Sequence, residues 1–244
     1  MPEPGDGGQP ATPAEELPPA VSYERRGAAA LIKIDRPHRR NAVDGPTAAA
    51  LYEAYLRFEE DEEARVLVLT GAGGVSFCAG ADLKATETFV GRLMDPAGPM
   101  GFTRLTPSKP TIAAISGFAL AGGLELALWC DLRIATPNSK LGYPERRWGV
   151  PLIDGGTQRL PRIVGLGRAL DLILTGRIID AEEALAMGLL TEIVPEGMHL
   201  ERALALAEGL ALEAAAGPEV FSDGARGAAR FAAGEGRGGA GAGA

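Results

Sequence analysis

Three features of the sequence predict an α/β domain with largely parallel strands. Segments of extended and helical character alternate through most of the chain. Apolar residues make up 46% and aromatic residues only 5%, so the core is built mostly from Ala, Leu, Ile and Val. Several amphipathic runs end on a glycine, the usual close of a helix C-terminus. The 244 residues suffice for one large domain or two small ones.

The elements follow in order. Residues 1–20 are rich in Pro, Gly and Ala and read as disordered. "AALIKID" (29–35) reads as a strand, and "GPTAAALYEAYLRFEED" (45–61) as an amphipathic helix beginning at Pro46. "RVLVLTG" (65–71) is a short β-branched run suited to a buried strand, and "GAGGVSFCAGADLK" (71–84) reads as a glycine-rich loop. "TIAAIS" (111–116), "GGLELALWC" (122–130) and "DLRIAT" (131–136) read as strand, helix and strand. "GGTQRLPRIVG" begins a helix; "RALDLILTG" and "DAEEALAMG" are two more, each closed by glycine. "LLTEIV" (189–194) is a last strand and "MHLERALALAEGLALEA" (198–214) a long helix. These readings divide the chain into a core at 21–200, a helical segment at 201–232 and a disordered Gly/Ala tail at 233–244.

Composition narrows the function. A formal charge of −8 argues against nucleic acid as a partner. Cys78 and Cys130 form neither a disulfide framework nor a metal-binding spacing, and suit a reducing cytoplasm. The first residues lack the basic region and apolar core of a signal peptide. The apolar run from Lys109 to Ala135 is long enough to suggest a membrane span. Gly117, Gly122, Gly123 and Glu125 interrupt it, so a buried strand, turn and helix is expected, with no membrane insertion.

Glu125 is the one charge between Lys109 and Asp131. A helix beginning near Ala121 puts the N–H groups of Gly122 and Gly123 in its first turn, where they lack intrahelical partners. Glycine lets a ligand approach that backbone closely, which suits a developing negative oxygen. Glu125, within about one turn, reaches the same region. As a structural residue it would cap its own helix, but a cap needs no apolar surroundings, and buried carboxylates are rare unless paired or functional. Glu145 follows Pro144 and is not expected mid-helix. On local grounds "ERR" (145–147) reads as a solvated face, and Asp154, before "GGT", as a cap for the next helix. Cys78 reads as a small buried residue. With only His38 and His199 and no Gly-x-Ser-x-Gly elbow, a Ser-His or Cys-His hydrolase has little support.

Taken together, "SFCAGADLK", "ISGFALAGGLELALWCDLRIA", "PERRWGVPLIDGGTQRLPRIVG" and "LTGRIIDAEEALAMGLL" resemble the crotonase superfamily of enoyl-CoA hydratases and isomerases, as does "IDRPHRRNAV" near the start. The resemblance spans about residues 21–200, with the motifs in order. It implies a crotonase-like α/β fold of repeated β-β-α turns, assembly as homotrimers or pairs of trimers, and an acyl-CoA thioester as ligand. It implies an oxyanion hole at the N–H groups of Ala81 and Gly122, and catalytic glutamates at Glu125 and Glu145. Arg39, Ala81, Asp82, Leu83, Lys84 and Gly122 would contact coenzyme A, with Arg36, His38 and Arg40 completing a basic cluster. No cofactor is implied, coenzyme A being part of the substrate, and no metal. The implied reaction is hydration of a 2-enoyl thioester, with Glu125 as base and Glu145 as acid.

Two departures qualify the resemblance. Asp154 stands where hydratases of the family carry a small residue, and dienoyl-CoA isomerases have an aspartate at that offset. An isomerase using Glu145 and Asp154, or a silent acyl-CoA-binding protein, is therefore the alternative. A helical hairpin expected near Ala211–Val220 is missing, leaving the C-terminal helical region short.

Overall fold

The computed structural model describes residues 19–215, together with 229, 230 and 232. The expectations of disorder at the two ends and of a missing hairpin fall almost wholly outside the described residues. The Ala20 carbonyl accepts from the Asp35 N–H at 2.8 Å.

The elements are β1 (Val21–Arg26), β2 (Ala29–Ile34), α1 (Gly45–Glu60), β3 (Val66–Gly71), β4 (Ser76–Cys78), α2 (Thr86–Phe89), β5 (Thr111–Ile115), β6 (Phe118–Leu120) and α3 (Gly122–Trp129). They continue as β7 (Leu132–Ala135), β8 (Lys140–Gly142), α4 (Gly156–Val164), α5 (Leu166–Thr175), β9 (Ile178–Asp180), α6 (Ala181–Ala186), β10 (Glu192–Ile193) and α7 (His199–Ala215). Five-residue β5 and four-residue β7 fall where apolar runs predict strands. The expected strand at 189–194 shrinks to β10. Strands β4, β6, β8 and β9 have three residues each, too few to display a period of two, and the sequence reading misses them. β1 is also missed: it is a polar, half-exposed edge strand, antiparallel to β2.

The strands form two sheets. One has the order β1-β2-β3-β5-β7-β10, parallel after its first pair; the other runs β4-β6-β8-β9. The chain alternates between them. β3, β5 and β7 enter the first sheet, and β4, β6 and β8, immediately following, enter the second. A helix or helical turn then returns the chain, which is the repeated β-β-α turn.

Both faces of the central strands β2, β3, β5 and β7 are largely buried, which explains why these strands read as continuous apolar runs. Ile32, Ile34, Leu67, Leu69, Ala113 and Ile115 face the larger core, shared with the second sheet and α1, α3, α4, α5 and α6. Their neighbours Leu31, Val66, Val68, Ile112 and Ala114 face the other way, against Ala203 and Ala207 of α7. α7 thus covers this face of the sheet.

α1 starts at Asp44, whose side chain accepts from the Thr47 N–H at 2.9 Å and its hydroxyl at 2.6 Å. Pro46 lies in the first turn, where its missing N–H costs nothing.

Candidate active site

The β6–α3 junction forms the floor of the site. Ala121 joins them with φ 53° and ψ −129°, a backbone geometry rare for a residue with a Cβ. Its N–H donates to the Gly142 carbonyl at 3.0 Å, so the bend is anchored on β8. Gly122 follows as the first residue of α3, where an N–H has no intrahelical acceptor. At Gly123 a Cβ would lie 2.0 Å from the Cys78 carbonyl oxygen, so only glycine lets α3 approach β4 this closely.

The loop after β4 meets the same junction. A Cβ on Gly80 would lie 3.1 Å from the Gly122 nitrogen. Val43 grips this loop from both sides: its N–H donates to the Gly80 carbonyl and its carbonyl accepts from the Asp82 N–H, each at 2.8 Å. Successive N–H groups of an extended segment point oppositely, so the Ala81 N–H faces away from Val43. Ala81 and Gly122, distant in sequence, both line one cavity of about 370 Å³.

Glu125, Glu145 and Asp154 line that cavity too, and they are 2%, 7% and 3% exposed. Glu125 lies on α3, and its Oε1 accepts from the N–H groups of Asp154 at 3.0 Å and Gly156 at 2.7 Å. Glu145 lies in a 3-10 turn, Pro144–Trp148, and neither of its carboxylate oxygens has a partner among the described residues. The reading of "ERR" as a solvated face is corrected here: Arg146 and Arg147 are exposed, while Glu145 turns inward. The capping expected of Asp154 is corrected as well. Gly155 precedes α4 without a side-chain cap, and Asp154 Oδ1 instead accepts from the Met100 N–H at 3.0 Å and from the Thr103 hydroxyl.

Burial dominates the electrostatics. It pushes Glu125 up to about 8; the charge of Asp154 adds to this, while the N–H groups of Gly156 and Asp154 oppose it. Burial likewise pushes Glu145 up to about 7, and Asp154 above the ordinary carboxylate range. Three carboxyl groups share one apolar chamber, so a proton on Asp154 or Glu145 eases the ionisation of Glu125. The Tyr143 hydroxyl, buried beside them without a partner among the described residues, is held neutral by burial and by the charges of Glu125 and Glu145.

The other candidate residues divide. Leu83 lines the cavity. Asp82 also lines it, but its side chain accepts from Arg36 at 3.2 Å and from the Lys84 N–H at 3.1 Å. Arg36 is turned inward: one nitrogen pairs with both Asp44, at 2.7 Å, and Asp82, and another donates to the Ala42 carbonyl. It thereby ties the start of α1 to the Ala81 loop. His38, Arg39 and Lys84 are exposed and lie outside the cavity lining, and Arg40 stacks its guanidinium 5.3 Å from the Phe118 ring centre. Phe89, Val90, Leu93 and Met100, from the segment after the Ala81 loop, form an apolar wall with Trp148 and Ile153. Cys78 is fully buried, its thiol is pushed up to about 12 by burial, and its sulfur accepts from the Gly80 N–H at 3.4 Å. It is a packing residue behind the loop.

Known proteins share this arrangement of sequence. The family described as Enoyl-CoA hydratase/isomerase matches residues 24–226. The short-chain-enoyl-CoA hydratase of Clostridium acetobutylicum is 43% identical over 178 residues, covering 71% of this chain and 68% of that protein. The (E)-benzylidenesuccinyl-CoA hydratase of Thauera aromatica is 39% identical over 195 residues, 78% of this chain and 76% of that one. Among solved structures, a carnitinyl-CoA hydratase from Mycobacterium avium superposes with a TM-score of 0.75 at 43% identity, covering 80% of this chain and 76% of the other. With its two-sheet β-β-α fold and its chamber of buried carboxylates beside a glycine turn, the chain belongs to the enoyl-CoA hydratase/isomerase family.

Proposed function

We propose that the protein is an enoyl-CoA hydratase that adds water across the 2,3 double bond of an acyl-CoA thioester. One observation carries this reading: two buried glutamates and two loops offering backbone N–H groups converge on one apolar chamber. The N–H groups of Ala81 and Gly122 receive the thioester oxygen and stabilise the negative charge that gathers there as the β-carbon is attacked. Such a donor is worth about 3–4 kcal/mol. Glu125, its Oε1 held by two N–H groups, accepts the proton of the attacking water. Burial and the charge of Asp154 put Glu125, at about 8, above Glu145, at about 7, but the two N–H groups on Glu125 Oε1 favour the anion there. Glu145, whose carboxylate oxygens have no hydrogen-bond partner among the described residues, holds the proton of the pair and delivers it to the α-carbon. The oxygen of water ends on the β-carbon and its proton on Glu125. Exchange with solvent restores both carboxyls.

The apolar wall suits the acyl chain. Exposed Arg39 and Lys84, near the Ala81 loop, suit the phosphates of coenzyme A, and the reaction as written needs no cofactor beyond it. Asp154 makes an isomerase the second reading, with Glu145 and Asp154 moving protons along a conjugated chain. We place the enzyme in the cytoplasm, in keeping with its two free, buried cysteines. No helix among the described residues is long and apolar enough to cross a membrane. We further propose a trimer or pair of trimers. Exposed Leu166, Leu170 and Leu174, on one face of α5, support assembly.

The deciding experiment follows the enoyl absorbance of crotonyl-CoA with wild type, Glu125→Gln and Glu145→Gln. Hydration abolishes the absorbance, and each substitution is expected to lower kcat by at least ~100-fold with acyl-CoA binding retained. Full turnover by either variant sinks the assignment. Incorporation of oxygen-18 from labelled water separates hydration from isomerisation.

A further inference from the structure

Asp154 is the carboxylate of the chamber that this chemistry leaves without a task. It stands on the turn before α4, and its contacts run in two directions. Its N–H holds Glu125 Oε1, and its Oδ1 accepts from the Met100 N–H and the Thr103 hydroxyl. Met100 forms the wall facing the oxyanion turn, its sulfur 3.1 Å from where a Cβ on Gly122 would be. Arg159 of α4 repeats the link, donating to the Asp154 carbonyl at 2.8 Å and to the Thr103 carbonyl at 2.5 Å. Its guanidinium therefore engages backbone oxygens, and no salt bridge to the Asp154 carboxylate is found among the described residues.

We propose that Asp154 is a positioning residue that locks the Met100–Thr103 wall of the acyl chamber to the turn holding the Glu125 carboxylate. The inference rests on the hydratase reading above. Buried hydrogen bonds of this kind cost most when one partner is removed, because the other is left without water. Substrate wall and base are thus held in one register, and an acyl chain pressing on Met100 meets the element that aims Glu125. Asp154 also acts through its charge. Among the described residues, four titratable groups face Glu125: Asp154 on the turn, Glu145 on the 3-10 turn, Tyr143 just after β8 and Arg159 on α4. Asp154 is the strongest charged influence among them and favours the protonated form of Glu125.

Two variants separate the two actions. Asp154→Asn keeps the Oδ1 acceptor and removes the charge. The acid limb of kcat/KM is expected to move ~0.5–1 pH unit lower, with KM for crotonyl-CoA unchanged. Asp154→Ala removes the acceptor, frees the wall and is expected to raise KM about tenfold. Thr103→Val, which removes one donor and keeps Asp154, is expected to raise KM in the same direction by less, and reads the same link if Asp154→Ala does not fold. An unmoved acid limb in Asp154→Asn, or wild-type KM in both wall variants, overturns the proposal. So does loss of turnover in Asp154→Asn with acyl-CoA binding intact, because Asp154 would then take part in the proton transfers. A carbon-13 carboxyl NMR titration of Glu125 in wild type and Asp154→Asn reads the charge effect without turnover. A wild type that leaves crotonyl-CoA unchanged therefore counts against the hydratase reading and not against this link.

Discussion

At the scale of single residues, the chamber exchanges stability for chemistry. Between about pH 4.5 and 8, folded Glu125 retains a proton that the unfolded chain has lost. Stability therefore falls as pH rises through that window, and the buried anion is least welcome at its upper end. Glu125→Gln keeps an acceptor for the N–H groups of Asp154 and Gly156 but cannot ionise. It is expected to gain on the order of 1–3 kcal/mol over wild type at pH 8 while losing turnover, and to match wild type near pH 4. Urea unfolding at the two pH values checks this; equal stability at pH 8 contradicts the burial argument. Glu125 was legible from sequence because a lone carboxylate stood out in an apolar run. Glu145 was legible only through the family motif, since the adjacent arginines disguised it as surface. Asp154 was misread as a cap, because its true partners, Met100 and Thr103, are over fifty residues away.

At the scale of elements, two joints aim the N–H groups. Ala121 bends the chain from β6 into α3 through a conformation that glycine adopts more readily. Ala121→Gly is expected to raise stability by about 1 kcal/mol through relief of this strain, measurable as a higher unfolding midpoint; a lower one would mean that the alanine packing outweighs the strain. Arg36 is the second joint. Arg36→Met leaves Asp44 and Asp82 largely buried without their cation, and a loss of about 3–5 kcal/mol is expected. Because Asp82 follows Ala81, turnover of the surviving folded protein should fall too. Activity of folded Arg36→Met equal to wild type would show that the Ala81 loop holds its shape without this pair. The family resemblance puts Arg36 in the basic cluster expected at coenzyme A. Nothing local reveals that its partners lie 8 and 46 positions onward and draw it inward.

For the whole molecule, the alternation between two sheets places the β4 and β6 ends side by side, which brings Ala81 within reach of Gly122. α7 closes the far face of the larger sheet, so the face against the second sheet is left to build the site. The uncovered leucines of α5 carry a prediction at this scale. Leu170→Arg is expected to reduce the mass seen by light scattering from an oligomer to a smaller species, with the far-ultraviolet circular dichroism unchanged. An unchanged mass would move the interface elsewhere.

Period, composition and glycine punctuation were enough to specify the α/β class, the long helices, the buried strands of the first sheet, and Glu125 beside its glycines. These signals are local: each is carried by side chains within one or two turns of one another. The second sheet, the inward turn of Glu145 and Arg36, and the link through Asp154 were decided by tertiary structure. Three-residue strands hold no periodic signal. The fate of a charged side chain depends on which distant partners the fold brings within about 3 Å of it.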